Sequence, residues 1–399
     1  MRAAYDVVVV GGAAVGSSVA CHLTADSGFD GTVLVVERDP SYSGAATALS
    51  AASIRQQFSQ AVNVRMSRYG LDVIRDFPRL MAVDGEPGPD LGFQPGGYLF
   101  LATTEAGADV LRANHSVQRE CGAGTTLWSP DELADAFPHV RTEDVVLASY
   151  GGEGEGWFDN MGLLQGFRRK AIARGAEYVR GEIAAIDPGG PVVTLTTGER
   201  IAAGTVVNAA GTRGARVARM VALHIPVEPR KRTLFVFDCE RSPEGTARVN
   251  AGRLPLMIDP TGVFVRPEGR HFLAGAPPAD DPAVDPDDFE PRWEEFEEIV
   301  WPTLAARSPA FEAIREVRRW AGHYDFNTFD QNAIVGRDPD LPWFIHASGF
   351  SGHGLQQSPA VGRGVAELLV HGGYRTLDLF ELGVERIRAN RPLVEKAVI

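Results

Sequence analysis

The stretch VVVVGGAAVG, Val7–Gly16, decides the fold of this chain. Four consecutive β-branched residues, Val7–Val10, read as a strand buried on both faces, and Gly11–Gly16 then passes into a helical stretch, Ser17–Thr24, with apolar residues at Val19, Ala20 and Leu23. A second strand, Thr32–Val36, ends at Glu37, 21 residues after Gly16. Dinucleotide sites need this arrangement. Glycine permits a tight turn and close phosphate approach, the helix N-terminus offers unpaired N–H groups, and an acid some 20 residues on takes ribose hydroxyls. Gly11, Gly12, Ala13, Ala14 and Gly16 are therefore candidate pyrophosphate contacts and Glu37 a candidate ribose contact, although Ala13 replaces the middle glycine of GxGxxG. An ordinary βαβ crossover with Glu37 as a surface acid is the competing reading.

The same unit recurs near the other end. Trp343–Ala347 reads as a short apolar strand, Ser348–Gly354 as a glycine-dense turn and Leu355–Val370 as a helix. A nicotinamide enzyme needs one such unit per cofactor, whereas a flavin enzyme must also seat the isoalloxazine ring. Backbone N–H groups of His353, Gly354 and Leu355 are expected at the N1–C2=O edge of the ring, where charge develops on reduction. His353 has two readings, a hydrogen bond to ring or substrate, or a cap on the turn.

Between these ends the chain alternates without an evident linker. Phe93–Ala102, Val145–Tyr150, Val192–Thr197, Gly204–Ala210, Thr233–Asp238 and Gly262–Arg266 read as strands, and Met161–Arg174 as an amphipathic helix. VVNAAG, Val206–Gly211, ends a strand on small residues, either for close ligand approach or for tight packing under a helix. The acidic tract Asp280–Glu298 reads as a solvated face with a helix carrying Trp293, Phe296 and Val300 on one side. At 399 residues, two domains or one elaborated domain are expected. The 39 basic and 52 acidic residues leave a net charge of −13, which argues against nucleic acid and anionic membranes as partners. Cys21, Cys121 and Cys239 show no metal or redox spacing, and no metal site is expected. No run reaches membrane-spanning length and no leader precedes the first strand, so a cytoplasmic protein is expected.

Six segments in order, VVVVGGAAVGSSVACHL, LSAASIRQQFS, VVNAAG, VEPRKR, WAGHYDFNTFDQNAIVG and GFSGHGLQQSPAVGRGVAELL, resemble the D-amino-acid oxidase-like FAD-dependent oxidoreductases, the superfamily of glycine oxidase, sarcosine oxidase and dimethylglycine dehydrogenase. IRQQFS and YDFNTFDQNAIVG are most similar to the branch containing the mitochondrial flavoprotein of complex I assembly. The resemblance implies an α/β fold with a discontinuous Rossmann-like FAD domain, residues 1–85, 151–224 and 325–399, and a mixed, largely antiparallel substrate domain, 86–150 and 225–324. It places Glu37 and Arg38 at the adenosine ribose, and Ala45, Thr47, Ser50 and Ala51 along the ribityl chain. Ile183 falls at adenine, Ala210 and Gly211 over the nucleotide, and Gly352, His353, Gly354, Leu355 and Gln356 at the isoalloxazine.

Reactions of the superfamily take hydride from the carbon next to an amine nitrogen to flavin N5, leaving an imine that hydrolyses. Position is the main requirement, and the carboxylate clamp is the informative contact. Arg55 is the first candidate for that clamp and Arg266 the second, each with a structural ion pair as its other reading. Tyr324, with Tyr98 and His323, ranks below them as pocket candidates. Three departures from sarcosine oxidases follow from the resemblance. Gln356 stands where those enzymes carry a carboxylate-binding lysine, Leu273 where a lysine promotes oxygen reduction, and Gly322 or its neighbour at a flavin-linking cysteine. Noncovalent FAD is implied, with His323 keeping another linkage open, and the acceptor is O2 or another oxidant. The expected activity is oxidation of an amino acid or of a secondary or tertiary amine. The alternative is a flavoprotein that assists assembly of a redox complex with little amine turnover.

Overall fold

The computed structural model describes residues 1–246 and 249–396. Its first sheet grows from Ala4–Val10, whose valines are almost fully buried because helices cover one face and a β-hairpin with the short helix Gly214–Arg219 covers the other. Val33–Glu37 and Arg200–Asn208 flank it in parallel, followed outward by Glu177–Arg180 on one side and by Phe344–Ser348 and the antiparallel Ile334–Arg337 on the other. A hairpin, Ile183–Asp187 and Val192–Leu195, extends Arg200–Asn208. The helices Ala14–Ala25, Ala61–Arg75, Asn160–Ala173 and Gly354–His371 pack together on one face. Two of them touch backbone to backbone, since a Cβ at Gly362 would collide with Ser18.

The second sheet runs Ile314–Asn327, Val227–Cys239, His271–Gly275, Phe264–Glu268, Leu256–Ile258, Tyr98–Ala102, Leu147–Gly151, Thr125–Trp128. It is antiparallel except where Leu256–Ile258 meets Tyr98–Ala102. Alternation sorts its residues. Phe235, Phe237, Phe272 and Val265 pack under Phe296, Val300, Leu304 and Phe311, while Tyr98, Leu256, Phe264 and Leu234 take the opposite face. The molecule is thus a mixed α/β fold with two large sheets. Among the described residues no helix is long and apolar enough to cross a membrane.

The acidic tract departs from expectation. Phe296 and Val300 are buried as one side, but Trp293 lies in the turn before the helix and is 54% exposed, and Phe296–Val300 is wound as a π-helix leading into Trp301–Arg307. Its aspartates are not a free solvated face. Asp281 pairs bidentately with Arg232, Asp288 with Lys231, and Asp287 with both Arg38 and Arg213.

Candidate functional site

One cavity of about 310 Å³ lies between the cofactor-type turns of the first sheet and the inner face of the second. At its first end, Gly11 adopts φ +95° against the Ala209 carbonyl, a conformation and a contact that only glycine meets. A Cβ at Gly16 would fall on the Gly11 carbonyl oxygen, so helix and turn touch there. Neither Gly12 nor Gly16 lines the cavity; they shape what does, namely Gly11, Ala13 and Ala14. Ala13 sits at φ −70° and ψ −162°, ordinary extended backbone, which explains why alanine replaces the middle glycine at no strain. The helix Ala14–Ala25 has no side-chain cap and no acid in its first turn. Ala14 N–H donates to Thr47 Oγ1, while among the described residues Val15 and Gly16 N–H meet no acceptor.

Glu37 ties this end together. One carboxylate oxygen accepts Gly12 N–H at 2.7 Å and the other Asp39 N–H at 2.8 Å. Burial raises its pKa, against the pull of those two bonds. Arg38, Ala45, Thr47, Ser50, Ala51, Ile183, Ala210 and Gly211 also line the cavity. Gly211, at φ +53°, has open space where a side chain would go.

The far end is the turn before Gly354–His371. Gly352, at φ +94°, lies so close to Tyr324 that a Cβ would come 2.6 Å from its ring. His353 N–H donates to Phe350 O, so it is spent within the turn, whereas Gly354, Leu355 and Gln356 N–H meet no acceptor among the described residues. The N–H row expected at His353–Leu355 is thus displaced one residue along. Gln356 lines the cavity, yet its side-chain oxygen accepts Arg55 N–H and the Ser67 hydroxyl, which commits it to holding the Arg55 segment.

Of the four candidate catalytic residues, Arg55, Tyr324 and His353 meet at this cavity and Arg266 does not. Arg55 is 2% exposed. Its guanidinium lies 4.1 Å from the Phe58 ring centroid, donates to Gln57 O, and meets His353 Nε2 at 3.0 Å. Arginine has no acceptor, so Nε2 carries the lone pair and His353 is neutral; burial and then the Arg55 charge hold its pKa well below the ordinary value. Burial pushes Tyr98 up to about 12 and raises Tyr324. Arg266 sits on the inner sheet face but is occupied by Pro267 O, Glu268 and Ala51 O, which makes it a tie between the sheet and the Ala45–Ala51 segment. Leu273 pairs opposite it, buried and outside the cavity lining. Tyr98, His323 and Gly322 do line the cavity.

Two carboxylates went unread in the sequence. Asp325 accepts Gly349 N–H at 2.7 Å and Phe350 N–H, fixing the far turn; burial pushes it up to about 6. Glu155 lies behind Arg55, accepting Gln56 N–H at 2.5 Å and Gln57 Nε2–H at 2.8 Å. Burial pushes Glu155 up to about 7, against those bonds and the Arg55 charge. Between 4.5 and about 7 the folded chain therefore holds a proton that the unfolded chain has lost. Stability from this proton is complete below 4.5 and gone once pH passes 7. Urea unfolding should show Glu155→Gln gaining about 3 kcal/mol on the wild type between pH 4.5 and pH 8. A difference that stays flat with pH means that Glu155 is ionised throughout.

The site fits FAD on three counts. Two uncapped helix N-termini line one cavity, Gly211 stands where a side chain would enter it, and the acid Glu37 closes one end. Comparison with known proteins agrees. A profile of FAD dependent oxidoreductases matches residues 6–368. FAD-dependent oxidoreductase domain-containing protein 1 of Xenopus laevis is 41% identical over 430 residues, spanning 99% of this chain and 85% of that protein. Mitochondrial sarcosine dehydrogenase of Mus musculus is 25% identical, spanning 92% of this chain and 40% of its own length. The crystal structure of L-proline dehydrogenase from P. horikoshii matches with a TM-score of 0.83 at 25% identity, covering 98% of this chain and 100% of that one.

Proposed function

The chain belongs to the FAD dependent oxidoreductase family, and from that membership we propose that it oxidises an amino acid or N-substituted amine whose carboxylate is held by Arg55. The observation that carries this reading is a buried guanidinium in the wall of the cofactor cavity, beside Tyr324 and His353. The planar fork of arginine suits a carboxylate, as the resemblance expects at this position.

FAD, when bound, supplies the two-electron acceptor for the carbon next to nitrogen. Gly11, Ala13 and Ala14 would hold its pyrophosphate, Glu37 its ribose, and Gly354–Gln356 N–H its ring. The chain's own part is placement. Arg55 fixes one end of the substrate, and Asp325 and Tyr324 keep the Gly349–Gly352 turn in shape beneath it. His353 is neutral with its Nε2 committed to Arg55, and both tyrosines are neutral hydroxyls, so the amine must arrive with its own lone pair free. Leu273 stands where the resemblance puts an oxygen-promoting lysine, which favours an acceptor other than O2. A reducing, cytoplasmic compartment belongs to the same proposal and is supported by three free thiols.

Anaerobic mixing of the FAD-loaded protein with amino acids, N-methyl amines and cyclic imino acids tests this reading. Flavin absorbance is expected to bleach with at least one carboxylate-bearing amine. Bleaching by none, with FAD retained, leaves the assembly-factor reading in its place.

A further inference from the structure

We propose that the substrate carries a compact hydrocarbon portion of about four or more carbons, seated on an apolar shelf formed by Leu256, Phe264 and Leu234. The inference rests on the reading of Arg55 as the carboxylate partner and specifies what lies beyond the carboxylate.

The shelf is a row across the second sheet. Leu256 pairs beside Tyr98 in parallel register, and Ile258, two residues on and on the same face, pairs opposite Phe264. Phe264 in turn stands opposite Gly275, and Gly275 opposite Leu234. A Cβ at Gly275 would come 2.9 Å from Phe264 and 3.0 Å from Leu234. Those two side chains therefore lean over the glycine from either side and close the row into one surface. Tyr98, Leu256, Ile258, Phe100 and Phe264 form a single apolar cluster, and Phe100 also lies 5.5 Å from the Arg55 guanidinium. Arg55, Leu256, Phe264 and Leu234 all line the same cavity.

At the other end of the row the character changes. Arg232, on the same strand and face as Leu234, is engaged bidentately by Asp281 at 2.7 and 2.9 Å and lies 4.9 Å from the Tyr324 ring. Its charge is compensated within the protein, so it does not make the row a second anion site. A substrate with a carboxylate and only a methyl or hydrogen beyond it would leave the apolar lining offered by Leu256, Phe264 and Leu234 unused. Each buried methylene is worth roughly fourfold in affinity, so four carbons reach on the order of 100-fold.

The test uses the FAD-loaded protein and three ligands that cannot be oxidised: acetate, cyclopentanecarboxylate and the neutral cyclopentanecarboxamide. Binding is read from the perturbation of the flavin absorbance band. Cyclopentanecarboxylate is expected to bind on the order of 100-fold more tightly than acetate. Leu256→Ala should shrink that ratio by about tenfold while the acetate Kd and the bound FAD stay unchanged. Equal binding of the two acids by the wild type overturns the shelf and leaves the Arg55 reading standing. Amide binding as tight as the acid supports the shelf and overturns the Arg55 reading. Failure of all three ligands to bind overturns both. If Leu256→Ala loosens FAD with the ligand ratio unchanged, the shelf belongs to the cofactor and the proposal fails.

Discussion

Replacing Gly16 by valine is expected to yield a protein that purifies without flavin colour. The physical conflict is backbone against backbone. A Cβ at this position would overlap the carbonyl oxygen of Gly11, and a carbonyl in a turn pinned by Gly11 N–H to Val36 O has no rotamer by which to move aside. Relief requires the helix Ala14–Ala25 to back away from the turn, which carries Val15 and Gly16 N–H off the phosphate position. Overpacking of this kind costs about 1–3 kcal/mol in an ordinary core, and here the lost N–H contacts add to it. Reconstitution with FAD, followed by absorbance and fluorescence, should show at least about a 1000-fold loss of affinity. Gly12→Ala is the internal control. Its Cβ would meet Val35 Cγ1 at 3.1 Å and Glu37 Cβ at 3.2 Å, which asks for a shift of a few tenths of an ångström and no overlap with a carbonyl, and the Gly12 N–H bond to Glu37 survives. That variant should stay yellow. A yellow Gly16→Val protein would show that the turn and helix are not locked as described.

The contrast between Gly16 and Ala13 marks what the sequence makes legible. Glycine spacing encodes steric demands local to a turn, so both cofactor turns and the strands leading into them can be located from residue order, whereas lining residues such as Ala45, Thr47 and Ile183 are reached only through the family resemblance. Partners brought from afar cannot be located so. Arg266 lies on the correct sheet face, yet nothing in its neighbourhood announces that Ala51 O, 215 residues earlier, takes its guanidinium. Asp325 and Glu155 are hidden for the same reason, being isolated acids whose meaning comes from N–H groups elsewhere in the chain. The helix Ala61–Arg75 is amphipathic, yet the partners of Asn63, Ser67 and Gly70 on its buried side are set by chain remote in sequence. Gly70 is required where that helix meets the Gln356 carbonyl, and Asn63 and Ser67 bond to the chain packed against them. The strand Ile314–Asn327 is disguised by its charges, since its first half is an exposed sheet edge.

Arg55→Met is expected to raise the KM for a carboxylate-bearing amine by about 100- to 1000-fold, with a much smaller change in the rate at saturation. Removing one partner of a desolvated charge pair costs about 3–5 kcal/mol, because the substrate carboxylate must then enter the cavity without its counter-charge. If Arg55 only binds, the loss appears in KM. If it also aligns the reacting carbon, the limiting rate falls too. Arg55→Lys separates charge from geometry. Lysine keeps the cation but has no fork with which to reach Gln57 O and His353 Nε2 while presenting two N–H groups to a carboxylate, so only about a tenfold recovery is expected. An amine without a carboxylate serves as the reference substrate, and its KM should hardly respond to either change. The His353 titration gives a second readout, one of the Arg55 charge itself and independent of substrate. With the neighbouring charge gone, one of the two causes of its depressed pKa disappears while burial remains, so the imidazole of Arg55→Met should titrate at a higher pH than in the wild type. Rapid-reaction bleaching of the flavin across substrate concentration, with FAD content and thermal stability checked alongside, measures all of this. Equal KM increases for acid and carboxylate-free amine would show that Arg55 shapes the cavity without recognising a carboxylate.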